Sequence, residues 1–152
     1  MIEGSCLCGA VRFAVNGSVS PLQYCHCRRC QKASGGAFVA AVAARSEHFR
    51  WLAGEELVEV FALPVRDEPP PYRTAFCRQC GSPVPIVDRE RPFAIIQVGA
   101  LDGQPEITPF RHIFVSLNPP WYEIRDEIPQ FPHHVPPDQR LPTTKKRDSD
   151  PS

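Results

Sequence analysis

Seven cysteines fall into three tight groups, as CLC at Cys6–Cys8, CHCRRC at Cys25–Cys30 and CRQC at Cys77–Cys80, and none lies outside them. An odd number of thiols cannot pair completely within one chain. Cys6 and Cys8 also suit a disulfide poorly. In extended chain they share a face at roughly 6–7 Å, whereas a disulfide needs Cβ atoms about 4 Å apart. Ligands of a single ion fit better: tetrahedral zinc holds sulfurs at ~2.3 Å and therefore within ~4 Å of one another. In both outer groups a glycine follows the second cysteine, Gly9 and Gly81, and supplies the positive φ that a tight knuckle often needs. Ordinary buried thiols would be scattered along the chain.

The arithmetic of the groups carries the chemistry. Cys6, Cys8, Cys77 and Cys80 would fill one four-coordinate site, leaving Cys25, Cys27 and Cys30 one ligand short. Structural zinc sites are closed, whereas catalytic ones keep a position for water or substrate. Spacing alone also permits a rival: Cys27 and Cys30 with Cys77 and Cys80, which strands Cys6, Cys8 and Cys25. His26 alternates with two ligands, so it is expected to point away from the metal and stand behind it. Arg28 and Arg29 could offset thiolate charge and grip a carboxylate bidentately, against the plainer reading of a solvated helix face.

At 152 residues the chain is one domain in size and can bury its own core. Seventeen Lys plus Arg balance seventeen Asp plus Glu, so no global field attracts nucleic acid or an anionic membrane. The opening MIEGSCLCGAVRF lacks a basic segment followed by an apolar one, and the run Ala37–Ala44 is too short to span a bilayer. A soluble, cytoplasmic protein is expected, in a compartment where thiols stay reduced. No P-loop, G-x-S-x-G or dinucleotide fingerprint is present.

Eighteen prolines argue against long helices. Apolar runs or alternations at Ala10–Val15, Phe38–Ala43, Leu57–Ala62, Phe93–Val98 and His112–Leu117 predict strands. Phe49–Leu52 and Leu57–Phe61 flank AGEE as a hairpin would. A helix is expected over Arg28–Ser34, stopped by Gly35-Gly36. The expectation is a mainly β single domain over residues 1–131, with a proline-rich polar tail over 132–152 that begins to take shape at Pro129. Pro64–Tyr72 (PVRDEPPPY) reads as a stiff polar loop. Trp121, Tyr122 and Phe131 close a core more often than they line a pocket. Ser82 and Pro83 shape a turn, His112 is a core or edge histidine, and His133-His134 is a weak metal signal.

The segments GSCLCGAVRF, YCHCRRCQKASGGAF, FCRQCGSPV, GALDG, HIFV and PWYEI, in this order from Gly4 to Phe131, resemble the glutathione-dependent formaldehyde-activating enzymes and the centromere-protein-V-like proteins. The resemblance implies a β-tent fold with two zinc ions. Cys6, Cys8, Cys77 and Cys80 would hold a structural ion; Cys25, Cys27 and Cys30 would hold a labile, catalytic one. It implies a carbon–sulfur lyase whose partners are glutathione and a small aldehyde, with S-hydroxymethylglutathione as the formaldehyde adduct. The alternative it leaves is a non-catalytic zinc scaffold that presents a β surface to a protein partner.

Overall fold

A computed structural model describes residues 1–63 and 72–140. The chain order is β1 (Ile2–Ser5), β2 (Arg12–Val15), β3 (Leu22–Cys25), α1 (Arg28–Ser34), β4 (Val39–Arg45), β5 (Phe49–Ala53), β6 (Val58–Ala62), β7 (Arg73–Cys77), β8 (Phe93–Gln97) and β9 (Pro109–Ile113). The architecture is mainly β, as expected. Three sheets form, in the orders β1-β2-β5, β8-β4-β3-β9 and β6-β7. All pairings are antiparallel except β3 with β9, which run parallel.

The strand β4 explains much of this layout. Its sequence VAAVAAR is an unbroken apolar run until Arg45, the pattern of a strand covered on both faces. It lies between β3 and β8, and Val42, Ala43 and Ala44 are all buried there. Phe13, Val15, Leu22, Val42, Ala44 and Ile96 form the main core between the first two sheets. Phe49 stacks on Phe13 at 5.7 Å, and Trp51 meets Phe13 edge-on at 6.3 Å. A second cluster of Cys6, Val11, Ala75, Cys77 and Val84 joins the N-terminal knuckle to β7.

The helix forms over Arg28–Ser34, where its stop signals place it. Its N-cap is Cys27, whose Sγ accepts from the Cys30 N–H at 3.3 Å. Gly35 ends it in the left-handed conformation. The expected hairpin around AGEE does not form: β5 pairs with β2 and β6 pairs with β7. Alternation marks a strand without naming its partner, and Gly54 turns the chain out of one sheet into another. It has φ +71°, and a Cβ there would lie 2.2 Å from the Ala10 carbonyl oxygen. The strand expected at His112–Leu117 instead covers Pro109–Ile113 and stops at Phe114, whose φ of +57° breaks the extended chain. Strands β1, β3 and β7 had no period-two signal; each has only four or five residues, and β3 and β7 end in cysteines read as knuckles.

From Pro129 to Val135 the chain is docked against β9 rather than detached. The His112 N–H donates to Pro129 O, Phe131 N–H to His112 O, and Phe114 N–H to His133 O. Val135 is fully buried. Most of the PVRDEPPPY loop, and the tail from residue 141, lie outside the described residues. No helix among the described residues is long and apolar enough to cross a membrane.

The corner at Gly54 yields a test. Gly54→Ala combines left-handed strain with a backbone clash and is expected to cost roughly 3 kcal/mol. Urea unfolding reads this directly; an unchanged midpoint at unchanged slope would mean that the β5–β6 corner is not rigid.

Candidate metal centres

Two cysteine clusters emerge, and they divide four and three. The sulfurs of Cys6, Cys8, Cys77 and Cys80 all lie within 4.8 Å of one another, as do those of Cys25, Cys27 and Cys30. The rival grouping of Cys27 and Cys30 with Cys77 and Cys80 is not the one the fold assembles. Its physical reason is the core: Cys77 packs with Cys6 and Val11, whereas Cys27 and Cys30 pack with Val39.

The four-cysteine cluster is built from two knuckles. After β1, Gly9 N–H donates to Cys6 O at 2.9 Å, and Val11 N–H donates to Cys6 Sγ at 3.2 Å. At the end of β7, Gly81 N–H donates to Cys77 O at 2.7 Å. Gly9 and Gly81 both have positive φ, 76° and 73°. Ser82 shapes its turn and also links the knuckles: its hydroxyl accepts from Leu7 N–H at 2.9 Å and lies 3.2 Å from Cys80 Sγ, to which it can donate. That hydroxyl, with the Ser82 N–H, holds the Cys80 thiol down to about 5. Sulfur separations of 3.5 Å for Cys6–Cys8 and 3.9 Å for Cys8–Cys77 are far too long for a disulfide bond of ~2.05 Å. They bracket the ~3.8 Å edge of a zinc–thiolate tetrahedron with ~2.3 Å bonds. All seven cysteines are free thiols.

The three-cysteine cluster spans the end of β3 and the start of α1. Cys25 closes β3, Cys27 caps the helix and Cys30 lies in its first turn. Crowding drives their protons apart. Hydrogen bonds from Cys25 and Cys30 pull the Cys27 thiol down to about 2, while Cys27 pushes Cys25 up to about 12. Cys30 is also raised, first by Cys25 and then by Cys27. One thiolate forms readily and opposes the next, a conflict that a divalent cation removes. The donor set therefore fits a soft, zinc-like ion. The protein brings three sulfurs to this cluster and, among the described residues, no fourth Cys, His, Asp or Glu ligand.

Around these sulfurs pack Val39, Ala41, Tyr72 and Phe114. The Tyr72 phenol is pushed up, first by burial and then by Cys30, with which it hydrogen-bonds. The Arg29 guanidinium lies 5.1 Å from the centroid of the Tyr72 ring, and Arg28 Nη1 donates to Gln31 Oε1. Neither arginine is simply a solvated charge. Spacing gave no signal for Tyr72, which folds in from the far end of the proline-rich loop.

His26 points away from the sulfurs, as its alternation with Cys25 and Cys27 requires. It is fully buried, with Nδ1 2.8 Å from Asn118 Oδ1 and Nε2 2.8 Å from His112 Nδ1. His112 is a buried histidine, as anticipated, and its Nε2 meets both oxygens of Asp126 at 3.1 Å. Asn118 and Asp126 are isolated polar residues whose place in this chain of contacts no sequence spacing could announce. Tyr122 joins an aromatic group with Phe38 and His26, whereas Trp121 is exposed. An open groove of about 490 Å³ beside Tyr122 and Asn118 is lined by none of the seven cysteines. His133 and His134 join no cluster of three or more ligating groups among the described residues; the His134 ring packs edge-on against Phe114.

Metal analysis by native mass spectrometry is expected to find two zinc ions per chain. Cys77→Ser is expected to lose one ion together with the fold, because Cys77 is fully buried in the second core cluster. A folded native protein that binds a single ion, or none, would refute the two-centre reading.

Comparison with known proteins places the chain in a family. The family model described as "Glutathione-dependent formaldehyde-activating enzyme" matches residues 1–117. A Halomonas elongata protein named "Putative glutathione-dependent formaldehyde-activating enzyme" is 31% identical over 130 residues, covering 82% of this chain and 81% of that protein. A crystal structure of a Rhodobacter sphaeroides protein shares 25% identity over 70% of this chain and 97% of that one, with a TM-score of 0.49, too loose a likeness to carry an argument. The family match spans both cysteine clusters, and the chain belongs to the glutathione-dependent formaldehyde-activating enzyme family.

Proposed function

We propose that this protein is a zinc-dependent carbon–sulfur lyase that makes and breaks a glutathione–aldehyde adduct, with formaldehyde the aldehyde the family name suggests. One observation supports it above the others: three clustered thiols, outside the four-cysteine cluster, with no fourth protein ligand among the described residues. In the synthetic direction the glutathione sulfur attacks the aldehyde carbon and a carbon–sulfur bond forms. The carbonyl π electrons move to oxygen, which takes up the proton lost from the thiol. The product, S-hydroxymethylglutathione for formaldehyde, needs no oxidant or reductant.

Zinc bound at Cys25, Cys27 and Cys30 would hold an incoming thiol as its thiolate at neutral pH. Three thiolates offset the charge of the ion, so the site suits capture and delivery of sulfur better than strong carbonyl activation. Cys27 anchors the set, since its sulfur is pulled toward the thiolate by both neighbours. Tyr72 places a hydroxyl beside Cys30, where it can donate a hydrogen bond to sulfur or to an aldehyde-derived oxygen. Arg29, over the Tyr72 ring, carries the positive charge that a glutathione carboxylate would meet. Such chemistry belongs in a reducing compartment such as the cytoplasm, where glutathione and these cysteines stay reduced.

Cys27→Ser tests the assignment cleanly, because serine is itself a good N-cap and preserves the start of α1. The variant is expected to fold, to keep one zinc, and to lose glutathione-dependent adduct formation above the uncatalysed rate. Full retention of that activity would show that the reactive metal is assigned wrongly. In cobalt-substituted native protein, reduced glutathione is expected to change the thiolate charge-transfer absorption. A spectrum indifferent to glutathione would favour the non-catalytic scaffold instead.

A further inference from the structure

We propose that His112 and Asp126 are positioning residues for the three-cysteine centre, acting through His26 by a hydrogen-bonded chain. This rests on that centre being the reactive one, but not on which aldehyde it takes.

The direction of each link can be counted. Asn118 Nδ2 donates to the Tyr122 carbonyl at 2.7 Å, which leaves its Oδ1 facing His26 as an acceptor. His26 Nδ1 must therefore donate to it at 2.8 Å. At the other end, Asp126 presents oxygens to His112 Nε2, and Oδ1 already accepts from Ile128 N–H at 3.0 Å. Between these ends lies the 2.8 Å link from His26 Nε2 to His112 Nδ1. The Asp126 side chain is 41% exposed while that of His112 is 2% exposed, so the chain runs from solvent into the core. Tyr24 stacks 4.7 Å from His112 and closes the pair's inner end, where hydrogen bonds are strong.

What this chain holds is the residue between two ligands. Each polar atom of His26 is engaged: N donates to Ile113 O at 3.0 Å, O accepts from Gln31 Nε2 at 2.7 Å, and both ring nitrogens are bound. Gln31 Nε2 also donates to Leu117 O at 2.9 Å. With His26 fixed at four points, the backbone that aims Cys25 and Cys27 has little freedom left. His26 is also unavailable as a fourth metal ligand.

Two measurements on the zinc-loaded protein test this. Nitrogen-15 NMR of the histidine rings is expected to show His26 carrying its proton on Nδ1, the tautomer that its bond to Asn118 requires. A His26 ring protonated on Nε2 alone would break the chain and overturn the inference. Asp126→Ala is expected to weaken the more labile zinc by ~10–100-fold, the usual effect of losing a group that orients a ligand, while the tighter zinc and the fold survive. Asp126→Asn should restore that affinity, because its amide can accept from Ile128 N–H and still bond the His112 ring. An Asp126→Ala protein with unchanged affinity for the labile zinc would refute the positioning role. If the native protein formed no adduct at all, these readouts would still decide the inference, since neither depends on turnover.

Discussion

The frame depends on two knuckles meeting across a long stretch of chain. Cys8 and Cys77 are 69 residues apart in sequence and 3.9 Å apart at sulfur. Little else joins the N-terminal knuckle to β7 so tightly. The apolar cluster beneath them has only five buried members, two of which are cysteines. A cluster that small cannot by itself oppose the entropy of closing so long a loop, so ligation of a shared ion is the natural source of the missing stabilisation. Ser82 adds a neutral bridge, accepting from Leu7 while facing Cys80.

The second cluster is organised on different terms. Its three sulfurs come from one local segment, Cys25 to Cys30, and need no distant strand to bring them together. What the rest of the fold supplies is orientation. Strand β9 lies parallel to β3, and the chain that follows it returns Asn118 and Asp126 to the back of the knuckle. One cluster thus closes the domain, while the other is backed by a polar chain of side chains. The Tyr72–Arg29 contact adds a lid of mixed character, apolar ring below and cation above.

Much of this was legible in the residues, and the limits have physical causes. The helix at Arg28–Ser34 was readable because Gly35-Gly36 marks its end; its capping sulfur was not. The strand β8 was readable because Phe93–Gln97 alternates between sheet faces. Local pattern does not choose a strand's partner, which is why β5 and β6 looked like a hairpin yet joined different sheets. Spacing alone left two groupings of the cysteines open; the family resemblance favoured the four-and-three division that the fold assembles. The Asn118–His26–His112–Asp126 chain was invisible, because an isolated asparagine or aspartate acquires meaning only from what the tertiary structure sets beside it. The docking of Pro129–Val135 was hidden likewise: a proline-rich composition looks unstructured until its carbonyls meet the edge of β9.

The parallel pairing of β3 with β9 also sets an order of events at the ribosome. His26 is synthesised 86 residues before His112 and 92 before Asn118. A nascent chain therefore exposes all three sulfurs well before the groups that brace them exist. The three-cysteine cluster reaches its final geometry only once Asn118 and Asp126 have emerged, whereas the four sulfurs of the other cluster can meet as soon as Cys80 is free of the exit tunnel.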